Sequence, residues 1–121
     1  MNNPKNIPFH TINWEEIPVT EHPGTTGRAL WRTQQYNGLR IRMVEYPPGY
    51  YADHWCAKGH FVHCLSGSFT SELHTGETVV LDSGASYLVS DDMSNHRSHT
   101  ATGALLLIVD GDFLQFHTTE P

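Results

Sequence analysis

The segment Asp53-His54-Trp55-Cys56-Ala57-Lys58-Gly59-His60 concentrates three side chains that bind transition metals. His54 and Cys56 stand two apart, so on a strand both point to one face. His60 follows the short stretch Ala57-Lys58-Gly59, and a hairpin turn there brings it beside the first two. A fourth ligand has to come from elsewhere, and Asn95-His96 lies after a later turn. The chain holds nine histidines in 121 residues, a high count for the commonest metal-binding side chain.

These residues need strands to hold them, and the sequence supplies short ones. Arg28 to Gln34 alternates around Leu30 and Trp31, and Asn37-Gly38 is a hairpin signal. Leu39, Ile41 and Met43 alternate with Arg40, Arg42 and Val44 at strand period. Pro47-Pro48-Gly49 ends that strand. Tyr50 to Cys56, His60 to Leu65, Phe69 to His74, Thr78 to Leu81, Ser86 to Val89 and His96 to Thr100 read as further strands. Ser66-Gly67-Ser68 reads as a turn between two of them, and Leu105 to Val109 as a fully buried strand. Residues 1–27, rich in Pro, Asn, Thr and Gly, read as an irregular arm that packs on the barrel or on a partner subunit. The whole predicts one all-β domain over residues 28–121, a sandwich or jelly-roll barrel of roughly six to ten antiparallel strands.

Composition narrows the function. At 17% charged and 38% apolar residues, the chain has the balance of a folded domain, with one core's worth of length. The net charge of -6 and the lack of a Lys/Arg cluster argue against nucleic acid. No run of about 18 apolar residues offers a membrane span, and Met1-Asn2-Asn3-Pro4-Lys5 leads into no signal core. The expectation is a cytoplasmic protein with Cys56 and Cys64 as thiols.

The segment from Gly49 to Gly67 resembles the first motif of the cupin superfamily. It runs Gly49, four residues, His54-x-Cys56, three residues, His60, six residues, Gly67. The second motif is matched by Gly84, five residues, Ser90-Asp91-Asp92, three residues, His96, three residues, Thr100. In the cupin pattern the second histidine stands where this chain has Cys56, and a glutamate where it has His60. The Pro and Gly of the second motif's turn are absent, and its loop is one residue longer. Asp53-His54-Trp55-Cys56, Lys58-Gly59-His60, Ser86-Tyr87 and His96-Arg97-Ser98 further resemble the small DHCW-motif cupins, over about Trp14 to Asp110.

The resemblance implies an RmlC-like jelly roll with one divalent metal per chain, held by His54, Cys56, His60 and His96. Three imidazoles and a thiolate are softer than the usual cupin set, which favours Zn2+, with Fe, Ni or Cu as alternatives. It implies either a metal-dependent enzyme acting on a small polar organic molecule, of oxygenase, isomerase or lyase type, or a non-catalytic small-molecule binding or sensing module with a structural metal. Four protein ligands would fill a tetrahedral site, and a thiolate beside oxygen-activating iron is open to oxidation.

The remaining candidates follow from strand phase. Tyr50 is in phase with His54 and Cys56 and lines the pocket as a ligand-binding residue; Tyr50 and His99 are the only candidate bases. His63 faces away from the metal, and His99 alternates away from His96. Cys64 packs in the core, and His10, His22, His74 and His117 are expected in water. Arg40 and Arg42 share a strand face, and paired surface charges are the expectation, with carboxylate binding inside the barrel the alternative. Trp14, Ile17, Trp31, Trp55 and Phe61 exceed what so small a barrel buries, which points to a homodimer.

Overall fold

A computed structural model describes residues 6–115. Eight antiparallel strands are formed: β1 Thr20–Pro23, β2 Arg28–Tyr36, β3 Leu39–Tyr46, β4 His60–Leu73, β5 Thr78–Asp82, β6 Ser86–Val89, β7 His96–His99 and β8 Ala104–Gly111. Among the described residues, two short 3-10 turns flank them, Trp14–Glu16 before β1 and Asp112–Leu114 after β8. The all-β barrel expected from the alternating runs is therefore the architecture found.

Strand β4 organises it. Its first half pairs with β8 and β6, its second half with β5 and β7. The register shifts between Cys64 and Ser66, where one extra residue bends the strand from one sheet into the other. Ser66-Gly67-Ser68 is thus not the turn that its composition predicts. Gly67 takes φ 78, and a Cβ there would collide with the backbone carbonyl of Gly103. The bend is bought with a glycine so that two backbones touch at the barrel corner.

Two further departures concern the ends of strands. Part of the supposedly irregular arm is β1, which pairs with β2 from Thr20↔Trp31 to Pro23↔Arg28. Tyr50 to Cys56 is not a continuous strand: only Tyr51 and Cys56 make bridges, Tyr51 to Thr26 and His99 and Cys56 to His96, and the chain bends at Asp53 and His54 between them.

The interior follows period two. On β8, Ala104, Leu106, Ile108 and Asp110 are buried, alternating with half-buried neighbours rather than forming the fully buried run expected. Opposite them lie Arg42 and Val44 of β3, and Val62 and Cys64 of β4. Phe69, Leu81 and Ala29 complete the apolar part, with Cys64 wholly buried as expected. One end of this interior is apolar; at the other, Arg42, Asp110, His60 and His96 occupy the inward positions.

Candidate metal centre

The bridge between Cys56 and His96 sets the first two groups. Their backbones exchange hydrogen bonds, Cys56 N to His96 O at 2.8 Å and His96 N to Cys56 O at 3.0 Å, placing the two side chains on one face. His60 enters at the start of β4, fixed by pairing with Val89. Gly59 makes the approach feasible: a Cβ there would lie 2.5–2.6 Å from the backbone of Val89, Ser90 and Asp91. The Gly59 N–H donates to Asp91 Oδ1 at 2.6 Å.

Cys56, His60 and His96 each present a ligand atom within 4.8 Å of the other two. Cys56 Sγ lies 3.7 Å from His60 Nε2. Each imidazole is oriented from behind. His60 Nδ1 faces Asp110 Oδ2 at 3.3 Å, and His96 Nδ1 faces the Ser94 carbonyl at 3.2 Å. Both partners accept, so both Nδ1 atoms donate and both Nε2 atoms are left for a ligand. His96 Nε2 is buried with no hydrogen-bond partner. An orphaned acceptor beside a thiol and a second imidazole is the arrangement that a metal ion completes.

The electrostatics agree. The hydrogen bond with His60, and then the neighbouring His96 imidazole, draw the Cys56 thiol down to about 5, against the pull of burial. Burial lowers His60, but hydrogen bonds to Asp110 and Cys56 outweigh it and leave it raised. Without metal, the pair leans toward thiolate and imidazolium, and a thiolate is the form that binds metal.

His54 stands apart from this group. Because the chain bends at residues 53 and 54, its side chain is 77% exposed, and Nδ1 pairs with Asp53 Oδ1 at 2.6 Å. It lines the mouth of the cavity rather than its floor. That cavity, about 340 Å³, opens onto Cys56, His60 and His96, with Tyr46, Tyr50 and Tyr87 in its walls. Burial pushes Tyr50 up to about 12 and raises Tyr87 further, so both phenols are neutral donors near pH 7 rather than bases. His99 stacks on Tyr51 and faces Glu72 at 3.5 Å, in the network where Glu72 also holds Tyr51 and Arg97. His63 bonds Ser86 at 2.7 Å on the opposite face from the cluster, as its phase requires.

Two expectations are overturned at this end. Arg40 and Arg42 are not paired surface charges: Arg42 is buried, and both guanidiniums converge on the buried carboxylate of Asp110. Register places Arg42 opposite Ile108 and Arg40 opposite Asp110, on the barrel side. His22 is not simply solvated either. It stacks on Trp31 at 3.6 Å in the cavity wall, and burial together with Arg42 and Arg40 lowers its pKa, keeping it neutral. Sequence reasoning missed Asp110 altogether, although it continues the inward row Leu106, Ile108 at period two. His10 is exposed and bonds Tyr36, His74 meets Trp55 edge-on, and His117 lies outside the described residues.

No protein-family model and no curated protein matches this sequence. Solved structures do. An RmlC-like cupin from Shewanella frigidimarina superposes with a TM-score of 0.68 at 18% identity, covering 86% of this chain and 91% of that one. The polyketide cyclase RemF from Streptomyces resistomycificus gives 0.69 at 15%, covering 85% and 79%. The Fe(II) form of HppE in complex with substrate gives 0.68 at 15%, covering 84% of this chain and 60% of that one. Among the described residues no helix is long and apolar enough to cross a membrane. The paired sheets joined through β4 and the likeness to these structures give the chain the RmlC-like cupin fold.

Proposed function

We propose that this protein is a metal-dependent enzyme that binds one divalent transition metal through Cys56, His60 and His96 and receives a small polar organic molecule in the adjoining cavity. The observation that carries this reading is the convergence of three metal-competent atoms within 4.8 Å on a cavity of about 340 Å³. His54, whose Nδ1 contact with Asp53 leaves Nε2 over, is the fourth donor only if the bend that carries it moves it in from the mouth; without it, three protein ligands would leave a position for water or substrate. The softness of a thiolate with imidazoles favours Zn2+ over Fe, Ni or Cu. Bound metal would supply Lewis acidity toward a substrate oxygen. The chain's own groups then orient the molecule: Tyr50 and Tyr87 donate hydrogen bonds, and neutral His22 is the accessible proton acceptor. Chemistry of the oxygenase, isomerase or lyase type fits such a set. The cyclase and HppE among the similar structures support an enzyme on this fold without assigning the reaction.

The test is metal content by elemental analysis of purified protein, with azide or cyanide added to the cobalt-substituted form. One metal per chain and a shifted visible spectrum are expected. Stoichiometric metal with no spectral response would instead make it a structural metal in a binding or sensing module. Two free cysteines fit a reducing compartment, so the cytoplasm is the proposed location. A homodimer is proposed from exposed apolar side chains such as Val80, Leu88 and Met93, with light scattering as its check.

A further inference from the structure

Among the described residues, two buried side-chain atoms lack a hydrogen-bond partner, His96 Nε2 and Arg42 Nε. Both belong to residues that line the same cavity. A metal accounts for the first. It does nothing for the second, which is a donor on a cation.

The chain as a whole is acidic, with 13 Asp and Glu against 7 Lys and Arg, yet four of those cations, Arg40, Arg42, Lys58 and Arg97, line this cavity. Arg97 is satisfied by Glu72 at 2.8 Å. Arg40 holds Asp110 through both Nε and Nη2 at 3.0 Å. Arg42 is left with a share: one Nη2 bond of 2.9 Å to Asp110 Oδ2, an oxygen that also faces Arg40 and His60. Two guanidiniums therefore divide one carboxylate, a surplus of one positive charge at an almost fully buried residue. The Trp31 ring at 4.4 Å gives the Arg42 guanidinium a polarisable face but no acceptor. A buried cation short of both charge and acceptors is what an incoming anion satisfies.

We infer that the cavity takes a small organic molecule bearing a single carboxylate, held by Arg42, with the rest of the molecule directed to the Cys56, His60 and His96 cluster. The surplus of one charge selects a monoanion, and the planar guanidinium suits a carboxylate. Asp110 ties the two sites together, since the oxygen that meets Arg42 also orients His60. As a substrate class, this rests on the metal-dependent reading above; as an anion site, it does not.

Isothermal titration with lactate and pyruvate, each against its neutral amide, separates the two claims when run on zinc-loaded and metal-free protein. The carboxylates are expected to bind about tenfold tighter than the amides in both forms, as a charge-assisted contact gives. Arg42→Gln should abolish that preference in metal-free protein, and Arg42→Lys should retain part of it. Equal binding of acid and amide by metal-free wild-type protein overturns the inference without any variant. So does a preference that appears only with zinc, which assigns the carboxylate to the metal, or one that survives Arg42→Gln. A protein that takes up no metal yet shows the Arg42-dependent preference keeps the anion site and loses the metal reading. Tighter binding of methylphosphonate dianion than of either carboxylate would refute the monoanion class.

Discussion

The two walls that meet at the cluster are built differently. His60, Arg42 and Asp110 stand on β4, β3 and β8, neighbouring strands paired along most of their length. Cys56 and His54 stand on a segment held by isolated bridges, two at Tyr51 and one at Cys56, with a bend between them. The first wall is preorganised and buried, and its polar groups are fixed by one another. The second fixes Cys56 through its exchange with His96 but leaves His54 77% exposed. Ligands on a ladder inherit its precision, whereas a ligand on a bend needs a separate interaction to bring it in.

Removing the centre of the rigid wall should do the most damage. Asp110→Asn takes the charge from a residue that is 1% exposed and pairs with two arginines. Breaking one side of a buried ion pair costs about 3–5 kcal/mol, and urea unfolding should show a loss of that size. Its folded pKa is depressed, because hydrogen bonds from His60 and Arg40 and the Arg42 charge overcome burial. The stability it confers is therefore full above the carboxylate range and is lost as pH falls through it. A variant as stable as the wild type would show that the wall does not depend on this charge.

Metal affinity sharpens the contrast between walls. His60→Ala and His96→Ala should each lose nearly all metal, because they remove ligand atoms held in place by Asp110 and Ser94. His54→Ala should cost less, within the roughly 10- to 100-fold typical of supporting residues, since its side chain starts outside the cluster. Equilibrium dialysis against zinc with a competing chelator gives the ranking. If His54→Ala matched His96→Ala, the mouth segment would be closing fully on the metal.

Much of this was legible in the residues. Period-two runs and turn signals predicted the all-β barrel, and Cys56, His60 and His96 were picked out by ligand chemistry and motif spacing. What failed were phase arguments that assumed regular strands. His54 and Cys56 share a face only if the chain between them is extended, and it bends. Arg40 and Arg42 were expected as paired surface charges, yet they stand on the barrel side. In a barrel whose interior is polar at one end, the apolar row need not be the inward one. Long-range register decides, and a local pattern does not contain it.

The loop wall can also be pushed away from the rigid one. Gly59→Ala would set a methyl 2.5 Å from Asp91 N, in backbone anchored on both sides. Overpacking of this kind costs about 1–3 kcal/mol. The loop between Cys56 and His60 should move outward, lowering metal affinity together with melting temperature. Unchanged zinc binding in a destabilised Gly59→Ala protein would place the strain elsewhere in the chain.

The smallest effect should come from the side of the barrel where no ligand atom stands. Glu72 binds Arg97 at 2.8 Å and Tyr51 at 2.5 Å, and these hydrogen bonds, Tyr51 first, lower its pKa below the usual carboxylate range. A depressed carboxylate contributes stability above its unfolded pKa of about 4.3, and the contribution disappears as pH falls through the lower folded value. Glu72 is partly exposed, so solvent screens the pair and the effect stays small. Glu72→Gln should therefore lower the melting temperature slightly at pH 7 and converge with the wild type once pH has fallen through the lowered folded value, with zinc affinity unchanged. Arg97 also packs over Trp55 at 4.4 Å, beside Cys56, and that contact is where the two regions touch. If Glu72→Gln weakened zinc binding as much as it weakened the fold, the Arg97–Trp55 contact would be transmitting strain to Cys56, and the loop wall would be less independent than its sparse pairing suggests.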